Sequence, residues 1–246
     1  MIALTQADGI ARIDIARPAV RNALDRSGWR QLADAVHAAG VGGARVLILA
    51  SGVDGAFCAG SHLEEMAALA GSDAGKAPFR AMMRDALDPL ARLSIPTLAA
   101  IDGDCFGAGV AVALACDIRI AGSHARFCVP PARLGVSYPP EDVARLVACV
   151  GRGQAGLMLY GAAVVDGAEA VRIGLAERLV DDVLGEAMDI AARIAGNAPA
   201  SVALLKRIVT GAADAVEANA GFDRLMDGDA LQEGLRAFRE RRAPRF

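Results

Sequence analysis

Two turns built from glycine and alanine, each leading from a strand into a helix, constrain how this chain can fold. The first, Gly55–Leu63 (GAFCAGSHL), follows the apolar run Arg45–Ala50 (RVLILA); the second, Ile101–Asp117 (IDGDCFGAGVAVALACD), follows Pro96–Asp102 (PTLAAID). Small residues let such turns aim backbone N–H groups into a cavity, and a helix start adds partial positive charge. Two N–H donors converging on one point make an oxyanion hole. The short side chains at Ala59, Gly60, Gly107, Ala108 and Gly109 leave room for a ligand to approach the backbone.

Around these turns, β-like runs alternate with helical patterns. Arg12–Ala16, Arg45–Ala50, Pro96–Asp102 and Asp117–Ala121 read as strands. Asp25–Ala39 reads as a helix, with Leu32, Val36 and Ala39 at helical spacing, Asp25 placed to cap its start and Gly40 to end it. A second helix is expected over Ala77–Leu93, and Gly71–Gly75 (GSDAG) as a mobile loop. Alternation of this kind predicts an α/β core with largely parallel strands. Beyond Leu184 the strand signals stop. Leu184–Ala195, Ala200–Thr210, Ala212–Asp227 and Ala230–Arg241 all read as helices, so residues 1–183 are expected as an α/β core and 184–246 as a helical subdomain.

Composition narrows the function. Of 246 residues, 54% are hydrophobic but only 4% aromatic, so the core must rest on Ala, Val, Leu and Ile. A formal charge of −3, from 26 basic and 29 acidic residues, supplies no footprint for nucleic acid and no basic membrane patch. The apolar stretch Cys105–Cys116 is too short to span a bilayer, so no membrane insertion is expected. No C-x-x-C pair occurs and the three histidines are scattered, so the five cysteines read as reduced, mostly buried thiols rather than disulfides or zinc ligands. Residues 1–20 show no secretory pattern. A cytoplasmic protein acting on small molecules or proteins is expected.

The two turns also carry a resemblance. GAFCAGSHLEEM is similar to the "F-x-A-G-A-D-L" segment of the crotonase (enoyl-CoA hydratase/isomerase) superfamily, and IDGDCFGAGVAVALACDIRIA to that family's second oxyanion segment. Arg17–Asp25 (RPAVRNALD), Arg172–Val180 (RIGLAERLV) and Glu233–Phe246 (EGLRAFRERRAPRF) resemble three further family segments in the same order, so the likeness runs nearly end to end. It implies a spiral of ββα turns followed by helices that assemble a homotrimer or homohexamer. It implies an acyl-CoA thioester substrate, with coenzyme A as part of that substrate and no separate cofactor. Carried over by position, it implies oxyanion amides at Ser61 and Ala108. Arg21, Ala23, Ala59, Ser61, His62 and Leu63 would line the CoA site, largely through their backbones.

The family's hydration chemistry uses two carboxylates, at positions that hold Ala111 and Pro131 here. Neither side chain can move a proton. Leu134–Ala144 (LGVSYPPEDVA) offers Tyr138, Glu141 and Asp142 instead, and its "L-G-V-x-Y" start resembles the methylmalonyl-CoA decarboxylase branch. In that branch a histidine fills the slot of Ser61, with His62 one residue late. Acidic residues after Pro139–Pro140 also suit a helix's first turn without any catalytic duty. A dinucleotide fingerprint at Gly107–Gly109 fails because Val112 holds the third glycine position. A serine-hydrolase reading fails because Ser61 and His62 are adjacent and no G-x-S-x-G elbow occurs. The expected activity is therefore that of an acyl-CoA lyase or isomerase working through an enolate, by hydration, isomerisation or decarboxylation. The alternative is a CoA-ester-binding protein of the same fold without catalysis.

Overall fold

Strands form where the β-branched and leucine runs lie, and they alternate between two sheets. The computed structural model describes residues 1–69 and 73–246. It opens on a hairpin of β1 (Ile2–Ala7) and β2 (Ile10–Ile15), followed by α1 (Arg26–Val41), β3 (Val46–Ser51), β4 (Ala56–Cys58), α2 (Leu63–Leu69) and α3 (Asp73–Arg92). Next come β5 (Thr97–Ile101), β6 (Asp104–Phe106), α4 (Ala108–Leu114), β7 (Ile118–Gly122), β8 (Arg126–Cys128) and α5 (Pro140–Tyr160). The chain then passes through β9 (Val165–Asp166), α6 (Gly167–Arg172) and β10 (Arg178–Val180). It ends in α7 (Val183–Ala195), α8 (Pro199–Val209), α9 (Ala215–Met226) and α10 (Asp229–Glu240).

The larger sheet runs β1-β2-β3-β5-β7-β10 and the smaller β4-β6-β8-β9. β3, β5 and β7 pair in parallel in the first, while β4, β6 and β8 pair in parallel in the second. Each pass of the chain thus lays one strand in the large sheet, steps across to the small one, and leaves through a helix or turn. That is the spiral of ββα turns that the family resemblance implies. The small-sheet strands AFC, DCF and RFC span three residues each, too few for a hydrophobic period to reveal them.

Packing follows the pleat. Along β3, Val46, Ile48 and Ala50 face one side, where Val183, Ala187, Ala191 and Ala195 of α7 cover them. Leu47 and Leu49 face the other, joining Trp29 and Leu32 of α1, Leu87 and Leu90 of α3, and Phe57. Both faces are buried, which explains why RVLILA reads as a continuous apolar run rather than an alternating one. α4 is buried at every position from Ala108 to Leu114, as its wholly small and aliphatic sequence requires.

Asp25 caps α1 by accepting a hydrogen bond from the Gly28 amide at 2.7 Å. The helix runs one residue past Gly40 and is capped at Gly42. Of the GSDAG stretch expected as a mobile loop, residues 71 and 72 lie outside the described residues, and the remainder opens α3, correcting the loop there to helix. Among the described residues, no helix is long and apolar enough to cross a membrane.

Candidate functional site

The register of the small sheet brings the two glycine turns together. Cys58 of β4 pairs with Cys105 of β6, and each chain then leaves its strand in the same direction. Ser61 and Ala108 stand three residues beyond that pair, so equivalent positions of successive spiral turns sit side by side. Gly60 is where the first turn meets the start of α4. A Cβ placed on it would lie 3.0 Å from the Phe106 carbonyl oxygen and 3.4 Å from the Ala108 nitrogen, and its φ of +107° disfavours any side chain. Gly107 enters α4 at φ 49°, ψ −117°, a conformation that turns the Gly107–Ala108 peptide out of the strand direction.

A second segment flanks the first turn. Arg21 and Asn22 both adopt left-handed backbone, at φ 49° and 61°, and this turn lays residues 21–24 alongside 59–62. The Ala59 amide donates to the Arg21 carbonyl at 3.0 Å, Leu24 to Gly60 at 2.7 Å, and His62 to Leu24 at 3.0 Å. In this parallel bridge of Leu24 with Ser61, the pairing uses the Gly60 carbonyl and the His62 amide. Strand geometry directs the Ser61 N–H to the opposite edge, where β6 and its turn lie. Arg21, Ala23, Ala59, Ser61, His62 and Leu63 therefore form one contiguous backbone strip. Ala23 is buried, Ser61 and His62 half-buried, and Leu63 exposed at the head of α2.

Asn22 holds this strip together, and sequence reading missed it. Its amide nitrogen donates to Ser51 Oγ at 2.8 Å and to the Ala56 and Phe57 carbonyls at 3.1 and 3.0 Å, while its Oδ1 accepts from the Arg17 amide at 2.7 Å. The available signal was the residue type, since asparagine tolerates left-handed backbone and can serve several main-chain groups. Asp104, almost fully buried, was missed as well. It binds Arg21 at 2.5 Å and Arg126 at 2.7 Å, so two half-exposed guanidiniums share one carboxylate beside the strip.

The nominated proton carriers are placed differently from one another. Tyr138 is buried, and its hydroxyl donates to the Gly107 carbonyl at 2.8 Å. Burial pushes its phenol well above the usual tyrosine range, Asp142 nearby adds to this, and a backbone hydrogen bond from Ala111 works weakly the other way. Asp142 is fully buried between Arg84 at 2.6 Å and Arg145 at 3.0 Å, with Arg145 also binding Asp88 at 3.0 Å. Such a carboxylate belongs to a structural ion network. Glu141 is half-exposed, with Arg84 3.9 Å away. Ala111 is fully buried in α4, and Pro131 opens the 3-10 turn Pro131–Leu134.

Cys58 and Cys105 pass beneath the turns. Burial pushes the Cys58 thiol up to about 12 and Cys105 well above its ordinary value, so both stay protonated and neither is a thiolate nucleophile. A cleft of about 400 Å³ lined by Arg45, Ile95, Ile194 and Asn197 shares no residue with these segments.

The comparisons agree with this architecture. Residues 5–246 match the family model described as enoyl-CoA hydratase/isomerase. The methylglutaconyl-CoA hydratase of Mus musculus, a mitochondrial protein, is 33% identical, covering 97% of this chain and 79% of the relative. The enoyl-CoA hydratase domain-containing protein 2 of Bos taurus, also mitochondrial, is 32% identical over 97% of this chain and 84% of its own length. The crystal structure of an enoyl-CoA hydratase from Bacillus anthracis superposes with a TM-score of 0.92 at 27% identity, covering 100% of this chain and 98% of that one. The chain belongs to the enoyl-CoA hydratase/isomerase family, within the crotonase superfamily.

Proposed function

We propose that this protein binds an acyl-CoA thioester, holds its carbonyl oxygen between the amides of Ser61 and Ala108, and stabilises the enolate formed at the α carbon. The observation that carries this reading is the approach of the two turns at Gly60, whose missing Cβ would lie 3.4 Å from the Ala108 nitrogen. Two amides aimed at one oxygen stabilise charge that develops only during reaction, and such stabilisation commonly contributes more to the rate than any other single effect. The strip Arg21–Leu24 against Ala59–Leu63 would receive the CoA moiety by main-chain contacts. Arg21 and Arg126, sharing Asp104, supply positive charge at its edge.

Proton transfer falls to Glu141, since Asp142 is held by two arginines and the Tyr138 proton is taken by Gly107. A single carboxylate suits isomerisation. Decarboxylation suits the site equally, because loss of carbon dioxide yields the enolate without a base. Assembly into a homotrimer or homohexamer is supported by the apolar residues that α8–α10 expose, among them Val209, Val216, Phe222 and Phe238. Free thiols at all five cysteines fit a reducing, cytoplasmic setting.

The test is a panel of enoyl-, malonyl- and 3-hydroxyacyl-CoA esters, assayed for binding by calorimetry and for turnover by chromatography, with wild type and Glu141→Gln. Turnover of one class, abolished by Glu141→Gln where a proton must be moved, is the expected result. Binding without turnover of any class would leave the non-catalytic CoA-ester-binding alternative. Failure of every ester to bind would sink the reading.

A further inference from the structure

A peptide unit is planar and trans, so whatever fixes the direction of its carbonyl also fixes its N–H. The peptide that presents the Ala108 amide carries the Gly107 carbonyl at its other end. Nothing in a glycine's own backbone preference holds it at φ 49°, ψ −117°. Two neighbouring spiral turns do. On one side the Gly107 amide donates to the Cys128 carbonyl of β8 at 2.8 Å. On the other, Tyr138 arrives between the Pro131–Leu134 turn and α5 and donates its hydroxyl to the Gly107 carbonyl at 2.8 Å. The Val110 and Ala111 amides of α4's first turn, at 2.9 and 3.4 Å, join it on the same oxygen.

We propose that Tyr138 is a positioning residue of the oxyanion site, whose hydroxyl aims and polarises the Gly107–Ala108 peptide so that the Ala108 N–H is a stronger donor to the thioester oxygen. The proposal rests on the enolate reading above and deepens it. A donor on the carbonyl end of an amide draws electron density from its N–H, since linked hydrogen bonds strengthen one another in a low-dielectric interior. The side chain need not touch substrate to act. It also follows that Tyr138 does not deliver a proton to the α carbon: its one proton already lies on Gly107, in a site that keeps the phenol neutral.

The two roles separate in a spectrum. A conjugated aryl-enoyl thioester such as cinnamoyl-CoA absorbs at longer wavelength when its carbonyl is polarised. Its red shift on saturating the protein therefore reads the oxyanion donors directly, without turnover. Tyr138→Phe keeps the ring and removes the hydroxyl. The expected result is affinity within about threefold of wild type, with the red shift reduced to about half or less. Because Tyr138 and Tyr160 are the only tyrosines, 3-fluorotyrosine can be placed at 138 alone in a Tyr160→Phe background, Tyr160 being exposed. A more acidic phenol donates more strongly, so that protein should shift the chromophore further than its unfluorinated parent.

A full wild-type shift in Tyr138→Phe would overturn the positioning role while leaving the enolate reading intact. A wild-type protein that binds the ester with no shift at all would overturn both. Should Tyr138→Phe not fold, the fluorinated protein decides alone, and a shift equal to its parent's overturns the proposal.

Discussion

Replacing Gly60 by alanine tests the geometry on which the site depends. The new Cβ would stand 3.0 Å from the Phe106 carbonyl oxygen, a backbone atom that cannot swing aside, and the residue would carry φ +107°. Positive φ costs an L-residue about 1–2 kcal/mol, and relieving the contact requires the two turns to part by a few tenths of an ångström. A total of about 2 kcal/mol is expected, lowering the melting temperature by roughly 4–8 °C for a chain of this length. The same displacement separates the amides of Ser61 and Ala108, so the red shift of bound cinnamoyl-CoA should fall by more than the binding does. Gly43→Ala is the control. That residue also has positive φ, at +75°, but a Cβ there meets nothing within 4 Å, so stability should fall while the spectrum stays unchanged. A Gly60→Ala protein with wild-type melting and a wild-type spectrum would refute the reasoning, because the turns could not then be in contact.

Three further outcomes are expected. Asn22→Ala strips donors from the half-buried Ser51 hydroxyl and the buried Ala56 and Phe57 carbonyls and places alanine at φ 61°, which should cost about 3 kcal/mol in urea unfolding and weaken acyl-CoA binding measured by calorimetry. Asp142→Asn removes a fully buried charge between Arg84 and Arg145 and should cost about 3 kcal/mol by the same assay; a stability equal to wild type would show that the network is dispensable. Asp25 is held down to about 2 by its hydrogen bonds from Arg17 and its cap on α1. Its folded value lies below the unfolded value of about 3.9, so its contribution is full above about pH 4 and is lost as pH falls through about 2. Melting temperature followed over that window should fall less steeply in Asp25→Asn than in wild type.

Much of the fold was legible because its large-sheet strands are local signals. RVLILA, PTLAAID and DIRIA mark β3, β5 and β7 to within a residue or two, and the glycine turns behind them fix where the chain must leave the sheet. The small sheet was illegible, since three-residue strands have no period. The site divided in the same way. The turns themselves were legible, and the family resemblance assigned Ser61 and Ala108 to them, but the contacts around these turns are long-range: Tyr138 reaches Gly107 across 31 residues, and Arg21 reaches Asp104 across 83. Asp142 follows Glu141 in sequence and looks equivalent to it. One is sealed between arginines and the other half-exposed, a difference made by α3, which delivers Arg84 from far upstream.

The register that pairs Cys58 with Cys105 continues into the third spiral turn, where Cys105 pairs with Phe127. Counting on from Phe127 as from the other two leads to Pro130, beside Gly107. Proline has no hydrogen on its nitrogen. On the proposed reading, the spiral would add one donor with every coil, and the imino acid at Pro130 would stop the row at two. On that reading, a thioester oxygen held there would meet two hydrogens, which matches the two in-plane lone pairs of a carbonyl becoming an enolate.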